Sequence, residues 1–188
     1  MANWFSRASR RIEVPRLRSR SEDIVTTKVD LVEFTPPLTE FLGRAAYVQL
    51  TLFENLSRAI SAAPTTAAKA AIGRAAELSI AKHRALADEI VRAGGSVAEA
   101  MEPYTAEVDQ FERWTHGADW FETLMTCYLC AGFLDDFFVR LAAGLPADAA
   151  KRITDIYQST SAEDILAQQQ QKAIEANPRK KKKKKMWG

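Results

Sequence analysis

Three stretches of the chain carry apolar residues at helical spacing for more than twenty residues each. From Leu38 to Ala62 they recur at Leu42, Ala46, Phe53, Leu56 and Ile60, with Phe41, Ala45, Val48 and Leu52 widening the stripe. From Thr66 to Ala93 the row is Ala68, Ile72, Ala75, Ser79, Lys82, Leu86 and Ile90. From Asp119 to Ala143 it is Trp120, Leu124, Cys127, Ala131, Leu134, Phe138 and Leu141. Steps of three and four return a side chain to one face of a helix, so each stretch predicts an amphipathic helix. Their ends have physical causes. Thr35 and the two prolines after it start the first helix. Gly94-Gly95 stops the second, because glycine readily takes the left-handed backbone of a helix C-terminus. Asp119 is placed to cap the third, and Gly144 and Pro146 end it. The second row is the unusual one: two of its inward members, Ser79 and Lys82, are polar.

Shorter segments fill the gaps. Ser96–Met101 makes a further turn broken by Pro103, and Ala106–Trp114 reads as a short helix broken by His116-Gly117. Pro146–Tyr157 and Ser161–Ala176, with the break at Ser159–Ser161, form a fourth arm. Asp30–Thr35 reads as a short extended segment lying on the bundle. Long helices, short loops and one longer cross-over between the second and third helices predict an all-α four-helix bundle. The expected organisation is a basic, irregular leader over residues 1–36, the bundle over 37–178, and a polybasic tail over 179–188.

Composition narrows the classes. An apolar share of 47% supports a real core. No run reaches eighteen apolar residues, so no transmembrane span is expected, and the start lacks the apolar region of a secretory signal. Two cysteines three residues apart make no disulfide framework. A cytoplasmic protein is the simplest expectation. The net charge of +2 conceals an asymmetry. Residues 21–178 hold 13 basic and 23 acidic residues, a balance of −10. The first twenty hold six arginines (Arg7, Arg10, Arg11, Arg16, Arg18 and Arg20) against Glu13, and Arg179 with Lys180–Lys185 gives the other basic end. Attraction to RNA, a ribosome or another large assembly would come from the ends, not from the body. For Lys180–Lys185 two readings stand: a polybasic tail for RNA or acidic lipid, or a run that is not native sequence.

Four segments carry a family likeness: Tyr47–Leu56 (YVQLTLFENL), Ala100–Pro103 (AMEP), Asp119–Tyr128 (DWFETLMTCY) and Ala173–Arg179 (AIEANPR). Their order and spacing resemble the bacterial, largely actinobacterial, ferritin-like proteins grouped with the tRNA hydroxylase MiaE, over about residues 30–188. The resemblance implies a ferritin-like bundle, here C-terminally short, whose missing helices another chain could supply. It also implies two irons between four helices, held by carboxylates and two Glu-x-x-His pairs. Carried over by position, the metal carboxylate of the first helix matches Glu54. The other ligand positions fall on Ser79, Lys82, Ala131, Ser159 and Ala162, none of them a usual iron ligand.

The favoured expectation is therefore a protein that has lost its di-iron site, carries no cofactor and acts in binding or as a scaffold through its basic arm. One alternative is an active non-haem di-iron monooxygenase that hydroxylates tRNA, with two irons as cofactor. The other is a helical subunit of a protein complex or homo-oligomer, using Trp114, Trp120, Phe121, Phe137 and Phe138. Glu54 has two readings: an internal ion pair with Lys82, whose ammonium replaces the metal charge, or a surface pair with Arg58 at i+4. Glu77 and His83 lie about 120° apart on a helix and cannot ligate as a pair. His116 has no evident partner. Cys127-x-x-Cys130 lies inside an apolar helix, away from the N-terminal position that activates a thiol. One of Asp135 and Asp136 is expected to face solvent, with Asp136 placed to pair with Arg140.

Overall fold

A computed structural model of the chain describes residues 30–159 and 162–176. All regular structure among them is helical: α1 (Leu38–Ala62), α2 (Thr66–Arg92), α3 (Val97–Met101), α4 (Thr105–Thr115), α5 (Trp120–Ala142), α6 (Ala147–Gln158) and α7 (Glu163–Ala176). The ends follow the sequence signals. Thr65 caps α2 by accepting the Ala68 N–H at 3.1 Å. Asp119 caps α5 by accepting the Glu122 N–H at 2.9 Å. Gly94, past the end of α2, sits at φ +81°, where a side chain would be strained.

The segment expected to be extended is instead a 3-10 turn, Leu31–Phe34. The Asp30 carboxylate accepts the Val32 N–H at 3.1 Å and favours the tight turn. Thr35 then donates its hydroxyl to the Leu141 carbonyl at 2.7 Å. The close approach needs Gly144, where a Cβ would collide with the Thr35 side chain.

The arms α1, α2, α5 and the broken pair α6–α7 enclose two apolar halves. One contains Leu52, Leu56 and Ala59 of α1, Ile72 and Leu78 of α2, Leu124 and Ala131 of α5, and Leu166 of α7. The other contains Phe41 and Leu42 of α1, Leu86 and Ile90 of α2, Phe138 and Leu141 of α5, and Ile153 and Tyr157 of α6. Each continuous arm thus passes from one half to the other. Between them lie Gln49 on α1, Ser79 and Lys82 on α2, and Asp135 on α5. The fourth arm changes from α6 to α7 at the same level. About two turns of α2 beyond Lys82, a bridge pins α6 to α2: Arg152 donates to both Glu89 carboxylate oxygens, at 3.0 and 2.9 Å.

Candidate functional site

The layer between the two apolar halves is the candidate site. Lys82 is 5% exposed, and its ammonium donates to Asp135 Oδ2. Gln49 Nε2 donates to the other oxygen, Oδ1, at 2.9 Å. The Lys82 Nζ also lies 5.6 Å from the centroid of the Tyr157 ring, so the ring face sees the charge. One side chain from each of α1, α2, α5 and α6 therefore meets at mid-bundle. Gln49 Oε1 and the Tyr157 hydroxyl are buried without a well-formed hydrogen bond among the described residues, although the Gln49 amide lies close enough to Tyr157 to act on its phenol. Asp135 and Tyr157 also line an open cleft of about 830 Å³ along α5.

Burial dominates the electrostatics. It pushes the Asp135 carboxyl above its ordinary value of 3.8, while the Lys82 charge, the Lys82 hydrogen bond and the Gln49 amide pull it back. It also drives the Tyr157 phenol well above 10, with the Asp135 charge adding and Gln49 opposing. Buried charges need a partner and hydrogen bonds on their remaining faces. Asp135 has both: one oxygen is held by a cation and the other by an amide.

The residues singled out from sequence fall differently around this layer. Glu54 is exposed and forms no ion pair among the described residues. The expected Glu54–Lys82 pair is replaced by Lys82–Asp135. The geometry explains it: Glu54 follows the inward Gln49 by five residues, which at about 100° per residue turns it roughly 140° away. The alternative Glu54–Arg58 pair does not form either, since Arg58 bridges to Glu112 at 3.2 Å. Glu54 acts only at a distance, as the weakest of the influences that raise the Tyr47 phenol to about 12. Burial and the Asp109 hydrogen bond are the larger ones. Ser79 is buried, and its hydroxyl donates back to the Ala75 carbonyl at 3.3 Å. Ala131 and Ala162 are buried in an apolar half. Ser159 is exposed and donates to the Ile156 carbonyl at 3.0 Å. Arg7, Arg10, Arg11, Arg16, Arg18, Arg20 and Lys180–Lys185 lie outside the described residues.

Other candidates also find their places. Glu77 is exposed beside Arg74, whereas His83 Nδ1 lies 2.9 Å from the Ala46 carbonyl on α1. An unprotonated nitrogen cannot bond a carbonyl, so Nδ1 carries the proton there. His116 does have a partner, Glu112, at 3.4 Å. Asp136 faces solvent and pairs with Arg140 at 3.1 Å, which leaves Asp135 as the inward member of the pair. Burial pushes the Cys127 thiol up to about 12 and raises Cys130 as well, so neither is an activated thiol.

Three members of the layer, Gln49, Asp135 and Tyr157, were not singled out in the sequence as site residues. A signal for two of them existed. Gln49 stands seven residues after Leu42, and Asp135 four after Ala131, so both continue inward rows. Apolar neighbours, Val48 and Leu134, can fill the same stripes and mask both. Nothing local marks Tyr157, which meets Lys82 only through the packing of α6.

The donor set can be tested against a di-iron centre. Such a centre takes a carboxylate from each of two helices and a Glu-x-x-His pair from each of the others. This layer offers one carboxylate, one carboxamide, one phenol and an ammonium group. No cluster of three His, Cys, Asp or Glu side chains able to hold a metal ion occurs among the described residues. An ammonium hydrogen-bonded to the sole carboxylate also competes with any cation for it. These residues do not fit two irons.

Four arms, a long cross-over and a mid-bundle layer contributed by every arm define a ferritin-like bundle. Residues 33–188 match the family described as ferritin-like domain, actinomycetes, and the chain belongs to that family. No curated protein matches it. No helix among the described residues is long and apolar enough to cross a membrane.

Proposed function

We propose that this chain is a ferritin-like binding or scaffold protein in which an internal ion pair occupies the position of a metal centre, and that its Arg-rich N-terminal segment contacts RNA or a large RNA-containing assembly. The observation that carries this reading is the Lys82–Asp135 pair. A lysine ammonium supplies positive charge at the centre of the bundle, but it offers no open coordination position and no redox couple. The Gln49 and Lys82 contacts leave Asp135 committed to structure. Support for the arm comes from charge: six arginines precede a body of balance −10, so basic ends and acidic body would be expected to behave oppositely towards polyanions.

Metal analysis of protein produced with ample iron tests the first half. Iron far below one per chain is expected, and about two per chain would restore the hydroxylase alternative. Deletion of residues 1–20 tests the second half. Binding to a single-stranded RNA oligonucleotide should weaken, and its salt dependence should flatten by roughly 0.7 for each lost phosphate contact. Unchanged affinity and slope would remove the arm from the proposal.

A second reading, a helical subunit of a protein complex, has its own support. Phe111, Trp114, Leu129 and Phe133 of α4 and α5 are 46–76% exposed. Of the face expected from sequence it keeps Trp114 alone. Phe138 is buried, and Trp120 donates its indole N–H to the Ala59 carbonyl at 3.0 Å. Sedimentation of the full chain, with and without Phe133→Ser, tests it for self-association.

A further inference from the structure

α4 is packed more loosely than the long arms α1, α2 and α5. It spans eleven residues and none of them is buried. Beneath it, between α1 and α5, lies a cavity of about 280 Å³. Its apolar walls include Val48 and Leu52 from α1, Val108 and Phe111 from α4, and Leu134 and Phe137 from α5. The cavity opens to solvent on one side, and its mainly apolar lining favours an apolar guest. At roughly 30 Å³ per water-sized group, it accommodates about nine or ten heavy atoms.

Two lining groups, Arg44 Nε and Glu112 Oε1, are buried without a hydrogen-bond partner among the described residues. Arg44 stacks its guanidinium 4.9 Å from the centroid of the Tyr104 ring and lies 3.8 Å from Glu107. Its Nε is nonetheless buried without a hydrogen-bond partner among the described residues. Buried donors are normally satisfied, so a ligand that brings an oxygen there recovers a lost bond. Of the two acids in the lining, Glu112 has basic side chains facing its oxygen without a hydrogen bond, and Glu107 reaches into solvent. Glu112 lies 3.2 Å from Arg58 and 3.4 Å from His116, and the Glu107 side chain is 72% exposed.

We propose that the cavity beneath α4 binds a medium-length aliphatic carboxylate, with its chain among the apolar walls and a carboxylate oxygen accepting the Arg44 Nε–H. The loosely packed α4 is the element that would yield on entry. This inference does not depend on the Lys82–Asp135 pair or on the basic arm.

Octanoate, with ten heavy atoms, is the probe, titrated calorimetrically into the full chain with octylammonium as control. Saturable binding with a Kd on the order of 0.1–1 mM is expected, and octylammonium should bind about tenfold more weakly or not at all. Val108→Trp fills the void from a helix without buried residues and should weaken octanoate at least about tenfold with the helical circular dichroism unchanged. Arg44→Met keeps an apolar stem, removes the donor and should weaken octanoate about tenfold. In the unaltered protein, nuclear Overhauser contacts should run from the octanoate chain to the methyls of Val48 and Val108. Absence of saturable binding up to about 5 mM, affinity unchanged from the unaltered protein in both variants, or contacts to other methyls alone would overturn the proposal.

Discussion

Lys82 and Asp135 each keep the other from being an isolated buried charge. Breaking a buried pair from one side costs about 3–5 kcal/mol, whereas replacing both members by apolar side chains is often neutral. Lys82→Met should therefore lower the urea-unfolding free energy by about 3 kcal/mol, and Lys82→Met combined with Asp135→Leu should recover most of it. A double variant as unstable as the sum of the singles would show that the pair is not the coupled unit described. The pH dependence has a defined sign. Burial raises the Asp135 carboxyl above 3.8, so the folded state binds that proton more tightly than the unfolded chain. Its contribution is fully present below the ordinary value and is lost as pH rises through the raised one. Carbon-detected titration of the Asp135 carboxyl should give a midpoint above 3.8. Cys127, with its thiol pushed up to about 12, should resist iodoacetamide at neutral pH in the folded protein and react once it is unfolded.

Two helical glycines separate backbone propensity from packing at the scale of the elements. A Cβ on Gly43 of α1 would collide with the Ala100 carbonyl where α3 crosses, whereas around Gly73 of α2 there is nothing within 4 Å. Gly73→Ala should stabilise by roughly 0.5–1 kcal/mol, the usual gain in a helix interior. Gly43→Ala should destabilise by about 2 kcal/mol despite the same propensity gain, because backbone must move. Thermal melts of the two variants should shift in opposite directions. Helix existence and limits were legible because caps and breakers are local: α1 begins and ends at Leu38 and Ala62, where the pattern placed it. The turn before α1 is not legible in the local sequence, since the Asp30 cap and the Thr35–Leu141 contact depend on side-chain geometry and on a partner over a hundred residues away.

Stability is unevenly distributed over the whole molecule. α1 and α2 supply ten buried residues each, while α4 has none. Amides of α4 should exchange with solvent much faster than those in the middle of α2, because local opening there exposes little apolar surface. Equal protection would mean that α4 opens only with the bundle, and octanoate should slow its exchange if the cavity beneath it is a ligand site. The acidic body and basic ends belong to the same scale. Under the proposed function they would govern any encounter with a polyanion, while the internal arrangement is left to packing.

The sequence by itself determined the helices, their ends and, for α2, the buried face: Ala68, Ile72, Ala75, Ser79, Lys82, Leu86 and Ile90 are all buried. A period of about 3.6 residues fixes which side chains share a face within one element. It does not fix the rotation of one helix against the next, because several apolar stripes can be packed inward. Tertiary structure alone decided that Gln49 rather than Glu54 turns inward from α1, that Asp135 meets Lys82, and that Tyr157 closes the layer from α6. Lys82 was recognisable from the chain as a buried charge in need of a counter-charge. Which carboxylate answers it depends on contacts 53 residues apart, and these exist only once the four arms have packed.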